Sequence, residues 1–328
     1  MFSMDEKYVP PFDLTDEIAN LTIEICSLLK QMQLSSNLSK NPILRKQNRI
    51  RTIHSSLAIE HNSLTEDQVT AVIEGKHVIA PQRDIKEVQN AYEVYERMYQ
   101  IDPYSIDDLL SVHGIMMETI VKDAGHFRSG AVGVYKGSQL IHMGTRPEYV
   151  EHYISQLMSW TKESDLHPLI KSCIFHYEFE YIHPFSDGNG RTGRFWHTLL
   201  LSKWNPIFSW LPIESMIHRN QNEYYKAIAD SDNSGKSTVF ITFMLKLIKS
   251  VVEENVGINV GINVGINVGI KDQILVCLKS NPHMSASAIA VAIGFSQRQV
   301  ERAIAQLKKE NRLTRVGSNK SGYWQVNQ

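Results

Sequence analysis

Cysteine is scarce in these 328 residues: only Cys26, Cys173 and Cys277 occur, an odd number without CxxC or CxH spacing. That excludes a disulfide scaffold, argues against structural zinc and fits a reducing compartment. No run of 18 apolar residues occurs, and the opening MFSMDEKYVPPFDL has no basic stretch followed by an apolar one. The expectation is a soluble, unexported, cytoplasmic protein without a membrane segment. Neither sign of charge dominates, with 34 Lys and Arg against 35 Asp and Glu and a net charge of -1. What is present is a 42% hydrophobic content, ample for the cores of two or three domains and too high for a disordered chain.

The charge balance conceals an uneven distribution. Residues 271–328 carry nine Lys and Arg against three Asp and Glu, a net +6, which leaves -7 on the first 270. Between them Asn-Val-Gly-Ile runs four times, from Asn255 to Ile270. A four-residue period is too short for a solenoid. Val256, Ile258, Val260 and Ile262 alternate with Gly or Asn, a period-two pattern, and a helix here would bear a Gly every fourth position at about 1 kcal/mol each. The expectation is a linker or an extended strand, bent because sixteen residues are long for one strand. As an uncharged edge strand it would invite pairing with another chain.

Residues 14–250 read mostly helical. Apolar spacing of three and four marks Asp16–Met32 and Ile85–Tyr99, and Pro168 sits near the first position of a helix carrying Leu169, Ile170, Cys173, Ile174, Tyr177 and Tyr181. One break interrupts the pattern: between Arg128 and Arg146, Ala131 to Tyr135, a Lys-Gly-Ser turn, then Leu140 and Ile141 read as a β-hairpin. A lone hairpin is marginal, so it should lie against something or receive a partner strand.

The run His183-Pro184-Phe185-Ser186-Asp187-Gly188-Asn189-Gly190-Arg191-Thr192-Gly193-Arg194 lies between that helix and a second expected over Phe195–Trp204. Gly188-Asn189-Gly190 offers a tight turn whose N–H groups can converge on an anion, reinforced by the positive start of the following helix. Arg191 and Arg194 share a helix face and can each fork a phosphate. Asp187 supplies a carboxylate of the kind Mg2+ takes beside substrate phosphates. His183 supplies an imidazole able to remove a hydroxyl proton. Singly these would read as a capping histidine and a solvated arginine face; together they compose a phosphoryl or nucleotidyl transfer site. The pattern is neither the P-loop nor a dinucleotide-binding fingerprint.

This run resembles the signature of the Fic family, His-Pro-Phe-x-Asp/Glu-Gly-Asn-Gly-Arg-x-x-Arg, at every defining position, and Phe175-His176-Tyr177-x-Phe179-Glu180-x-Ile182 fits the family's lead-in. The similarity covers about Ile106 to Ser250. It implies a mainly α fold, a helical Fic core with a β-hairpin flap, and transfer of AMP from ATP to a protein side-chain hydroxyl with loss of pyrophosphate. On that resemblance His183 is the base and Asp187 holds Mg2+ on the α- and β-phosphates. Gly188, Asn189, Gly190 and Arg191 bind phosphates, Arg194 fixes the γ-phosphate, and the 128–146 hairpin holds the target protein by strand addition. Tyr224, Tyr225 and Asn233 would line the nucleotide, although Asp230-Ser231-Asp232-Asn233 does not align cleanly and helix packing explains adjacent tyrosines equally well.

Upstream, Ser55-Ser56-Leu57-Ala58-Ile59-Glu60-His61-Asn62 resembles the inhibitory motif of self-restraining Fic proteins, Ser/Thr-x-x-x-Glu-Gly/Asn. Ser56 and Glu60 share a helix face, and the resemblance implies that Glu60 pairs with Arg194 and blocks the γ-phosphate. His61 departs from the pattern.

Residues 271–328 read as three helices and a hairpin. Ile274, Val276 and Leu278 mark the first helix, Ser285–Ile293 the second, ending at Gly294, and a Ser296–Gln299 capping box opens a third that turns Val300, Ile304 and Leu307 inward. Leu313–Val316 and Tyr323–Val326 flank a Gly-Ser-Asn-Lys-Ser-Gly turn. This resembles a winged helix-turn-helix (α+β), with Gln297, Arg298 and Arg302 on the recognition helix and Lys320 in the wing, fit for a DNA or protein partner. The organisation expected is thus 1–104 helical with the inhibitory helix, 105–250 catalytic core, 251–270 repeat linker or strand, and 271–328 winged module. Competing readings are a Fic enzyme with another nucleotide donor or de-AMPylating activity, and a winged-helix DNA-binding regulator with a sensory Fic domain. Homo-oligomerisation is open.

Overall fold

The computed structural model describes residues 8–35, 42–136, 139–263, 271, 274–275, 277–278, 281–293, 297–317 and 322–327. It divides into two compact units, Met1–Asn255 and Val256–Gln328.

The first unit is helical around one buried pair. Helix α7 (Pro168–Ile182) is buried nearly all round, which its even spread of apolar residues dictates, and packs along α8 (Asn189–Trp204). Around them lie α1 (Asp16–Ser35), α2 (Pro42–Ile59), α3 (Glu66–Ile73), α4 (Gln82–Glu96), α5 (Ile106–Met116), α6 (Pro147–Glu163), α9 (Ile213–Arg219), α10 (Gln221–Ser234) and the part of α11 (Thr238–Asn263) up to Asn255. Phe175, Phe179, Phe185, Phe195 and Trp196 fill the centre. Local chemistry sets the starts: Thr65 and Gln68 form a capping box for α3, Ser105 caps α5, and Pro147 and Pro168 open α6 and α7 where no amide donor is needed. The expected hairpin is present as β1 (Gly133–Lys136) paired antiparallel with β2 (Gln139–Met143), with a register shift between Val134 and Tyr135. Its turn residues 137 and 138 lie outside the described residues.

Two expectations need correction. The helix after the signature starts at Asn189, not Phe195. Gly188, at φ +85°, is the cap residue that lets it begin so early. The Asn-Val-Gly-Ile repeat is helical, not extended, from Asn255 to Asn263, because α11 runs straight into it. Extending an existing helix needs no new nucleus, so Gly257 and Gly261, at about 1 kcal/mol each, do not stop it. A strand needs a ladder partner, and among the described residues none pairs there. Residues 264–270 lie outside the described part.

The second unit has α12 (Ala286–Ile293), α13 (Gln297–Lys309) and an antiparallel pair, β3 (Leu313–Val316) with β4 (Tyr323–Val326), registered Leu313 to Val326. Ile274, Ile289, Val300, Ile304, Leu307 and Leu313 form its core. Ser285 Oγ accepts from Ala288 N at 3.1 Å, the first-turn cap of α12. Val276, Gly294, Ser296 and Lys320, named above, lie outside the described residues. Among the described residues no helix is long and apolar enough to cross a membrane.

Candidate active site

His183 ends α7 as its cap residue in the left-handed conformation, φ 54° and ψ 64°, at a cost of about 1–2 kcal/mol for a residue with a Cβ. Its Nδ1 lies 3.3 Å from Glu180 O. A carbonyl only accepts, so the proton of the neutral ring sits on Nδ1 and the lone pair on Nε2. The chain then turns sharply. Phe185 is buried and stacked on His113 with ring centroids 3.6 Å apart, and Asn189 clasps it from both sides. Phe185 N donates to Asn189 Oδ1 at 2.9 Å and Asn189 Nδ2 to Phe185 O at 2.8 Å. Asn189 therefore closes the loop, so its side-chain amide is committed to backbone.

At Gly188 the approach is as close as the backbone allows: a Cβ there would meet Met117 Sδ at 2.6 Å. Past it, the first N–H groups of α8 form the positive, unpaired end of a helix. Arg191 projects from the first turn, buried, with Nη1 3.0 Å from Glu87 and Nη2 2.9 Å from Asp187. The Asp187 side chain is 42% exposed; its Oδ1 also accepts from Gly188 N, and Oδ2 lies 3.5 Å from Arg83 Nη2. One turn further, Arg194 is 2% exposed. It donates from Nε to Ser56 Oγ at 3.2 Å, from Nη2 to Ser56 O at 3.0 Å, and from Nη2 to Glu60 Oε1 at 2.7 Å. Burial works against its charge, but Glu60, Tyr224 and Glu180 outweigh burial and hold the guanidinium more firmly protonated than an ordinary arginine. A Cβ on Gly190 would fall 2.5 Å from Glu60 Oε1, so the absence of a side chain there admits the pair.

Glu60 is placed by the end of α2. His61 N donates to Ala58 O at 3.0 Å and Asn62 N to Leu57 O at 3.1 Å, with His61 at φ 66°. This is the Schellman termination, whose left-handed position favours Gly or Asn. The pattern's Gly/Asn and the departure at His61 thus have one physical cause. A cavity of about 300 Å³ opens here, lined by Glu60, His61, Arg83, Glu87, Asp187 and Arg191.

The Fic/DOC family model matches residues 103–201. The crystal structure of a Fic family protein from Desulfovibrio desulfuricans G20 is 36% identical, covers 98% of each chain and superposes with a TM-score of 0.76. The chain belongs to the Fic family. Curated Fic relatives include protein adenylyltransferase Fic of Nematostella vectensis, 26% identical over 215 residues, and protein adenylyltransferase fic-1 of Caenorhabditis elegans, 26% identical over 220. The alignments take in 61% and 62% of this chain but 47% and 41% of theirs, so the Fic chain spans less than half the length of these relatives.

Of the remaining residues expected at the site, Tyr224 and Tyr225 lie close enough to Glu60 and Arg194 to feel their charges. Tyr224 is buried in the core of the Fic unit, its hydroxyl 3.0 Å from His176 Nε2, while Tyr225 is 46% exposed. Asn233 is exposed near the end of α10. Sequence reasoning missed Arg83 and Glu87 on α4 and His113 on α5. His113 Nδ1 accepts from Gly125 N at 3.0 Å and Nε2 lies 3.0 Å from Asp187 O, so the two bonds anchor the signature loop; burial lowers the His113 pKa and outweighs the opposing pull of the Asp187 carbonyl. Arg83 and Glu87 are an ordinary i, i+4 pair in sequence, without a signal that they face the signature. Among the described residues no group of three His, Cys, Asp or Glu could hold a metal. One half-exposed carboxylate, Asp187, does fit Mg2+, which keeps waters and shares phosphate oxygens.

Proposed function

We propose that this chain is a self-inhibited protein adenylyltransferase that moves AMP from ATP to a Ser, Thr or Tyr hydroxyl of a target protein and of itself. The observation that carries the reading is the 2.7 Å pair between Glu60 and the buried Arg194, on the helix α8 that the signature opens. His183 Nε2 takes the proton of the target hydroxyl; that oxygen bonds to the α-phosphorus as the bond to the β-phosphate breaks, and pyrophosphate leaves. The N–H groups at Gly188 to Arg191 and the Arg191 fork bind phosphates, and Arg194 is the partner of the γ-phosphate. Mg2+, held by Asp187, would offset phosphate charge. Glu60 fills the fork of Arg194 and adds negative charge where the γ-phosphate belongs, so triphosphate seats poorly until Glu60 leaves. Tyr225 and the 128–146 hairpin are assigned to the nucleotide and target sides.

Labelling with α-labelled ATP tests this. Glu60→Gly raises incorporation, and His183→Ala abolishes it; unchanged labelling in Glu60→Gly refutes the brake. An adduct of other than AMP mass favours another donor, and loss of AMP from a modified protein favours the reverse activity.

A second assignment concerns residues 271–328, read as a winged helix. Exposed Gln297, Arg298 and Arg302 on α13 and the surplus of six positive charges support nucleic-acid contact. Affinity for duplex DNA falling steeply with added salt supports it; salt-independent or absent binding refutes it.

A further inference from the structure

Arg128 precedes the hairpin and is only 4% exposed. Its backbone N–H donates to Pro184 O at 3.0 Å. Its guanidinium then reaches three segments at once. Nε donates to His183 O at 2.6 Å, Nη1 to Gly130 O at 2.8 Å, and Nη2 to Ile182 O at 3.3 Å and to Thr145 O. Gly130 lies just before β1 and Thr145 just after β2, so both ends of the hairpin are tied to one side chain. The other two acceptors are the last carbonyls of α7, the negative end of a helix, where a cation is favoured and carbonyls lack intrahelical donors. The planar fork suits such a junction because it offers five donors in fixed directions, which an ammonium cannot reproduce.

Gly144 completes the junction. Its N–H donates to Val132 O at 3.1 Å, closing the hairpin base. A Cβ at this position would lie 3.1 Å from Arg128 Nη2, 3.3 Å from His183 Cβ and 3.0 Å from Val132 Cγ2. The hairpin exit thus passes against both the clamp and the histidine, at a spacing that a methyl group would disturb by a few tenths of an ångström.

We infer that Arg128 is a positioning residue, which makes the hairpin base and the left-handed backbone of His183 one rigid piece. A hydroxyl presented from the hairpin then meets His183 Nε2 at a fixed offset. The inference rests on the reading of His183 as base and of the hairpin as target seat. It separates two properties: the acceptors of the Arg128 side chain lie outside Gly188 to Arg194, so nucleotide affinity does not depend on it, whereas the rate of transfer does.

The test uses the full chain with Glu60→Gly as parent, and adds Arg128→Lys or Gly144→Ala. Self-labelling from saturating α-labelled ATP gives the rate, binding of a non-hydrolysable ATP analogue gives affinity, and thermal unfolding reports the fold. Arg128→Lys is expected to slow transfer about 100-fold, as a displacement of about 1 Å does, and Gly144→Ala, which shifts its neighbours by a few tenths of an ångström, about tenfold, with analogue affinity close to that of the parent. Undiminished rates in both variants overturn the inference, as does a parallel fall of affinity and rate. Unfolding of both variants overturns it too, leaving only structural support. A parent that transfers no AMP overturns the adenylyltransferase reading and this inference with it; an active parent with unimpaired variants overturns this inference alone.

Discussion

Replacing His61 tests whether the termination of α2 sets the strength of the Glu60 contact. His61 sits at φ 66° in a Schellman turn, a conformation that costs a side-chain-bearing residue about 1–2 kcal/mol, less for His than for most. Glycine recovers about 1 kcal/mol of that strain but loses about 0.4–1 kcal/mol by loosening the unfolded chain. The net gain for His61→Gly is at most about 0.6 kcal/mol, or up to about 2 °C in melting temperature for a unit of this size. His61→Val moves the other way, because a β-branched residue at positive φ is a conformational outlier. We expect it about 2 kcal/mol below the glycine variant, or about 4–8 °C. Differential scanning calorimetry reads the first effect. The second is functional: Glu60 is the last residue before the turn, so a strained turn releases it from Arg194, and self-labelling with Glu60 intact should rise in the valine variant by up to about 30-fold relative to glycine. Equal melting temperatures for Gly and Val, or greater labelling in the glycine variant, would refute the reasoning.

Two further outcomes follow from buried groups around α7. Glu178 is 3% exposed and accepts from Tyr8, and burial raises its pKa from 4.5 to about 7. A raised carboxyl pKa means stability that is intact below pH 4.5 and is lost as the pH rises through 7, about 3 kcal/mol in all. Glu178→Gln should therefore match the parent near pH 4 and exceed it by about that amount at pH 8 in denaturant titrations; an unchanged pH slope would contradict the assignment. His113→Phe keeps the stack on Phe185 but leaves Gly125 N–H and Asp187 O without their partner, at about 1–3 kcal/mol each. Its melting temperature should fall by several degrees, and a wild-type value would show that the anchor is redundant.

The legible parts of this protein were those where chemistry needs a fixed spacing along the chain. His183 to Arg194 lie on one helix end, one turn and one helix start, so sequence distance maps directly to spatial distance. The helices Asp16–Ser35 and Pro168–Ile182 followed from apolar spacing and from Pro168. Contacts that cross the fold were harder to see. Ser56 and Glu60 meet Arg194 across more than 130 positions, and only the resemblance of the Ser-x-x-x-Glu pattern pointed there. Glu87 and Arg83 had no such pattern and went unnoticed. Tyr224 and Tyr225 were read together, yet the helix turns them into different surroundings: Tyr224 is buried against His176 and Phe240 and Tyr225 is half-exposed, while both feel the charges of Glu60 and Arg194. The repeat misled for a different reason: its local period is that of a strand, but the long helix already formed upstream decides the conformation of its first nine residues.

The central claim is that His183 transfers AMP and Glu60 restrains it through Arg194. The most direct measurement is the intact mass of purified protein after incubation with ATP and Mg2+, compared among parent, Glu60→Gly and Glu60→Gly with His183→Ala. Little or no adduct is expected on the parent, AMP-sized additions on Glu60→Gly, and none once His183 is also replaced. Equal AMP addition to the parent and Glu60→Gly, or addition that persists without His183, would contradict it.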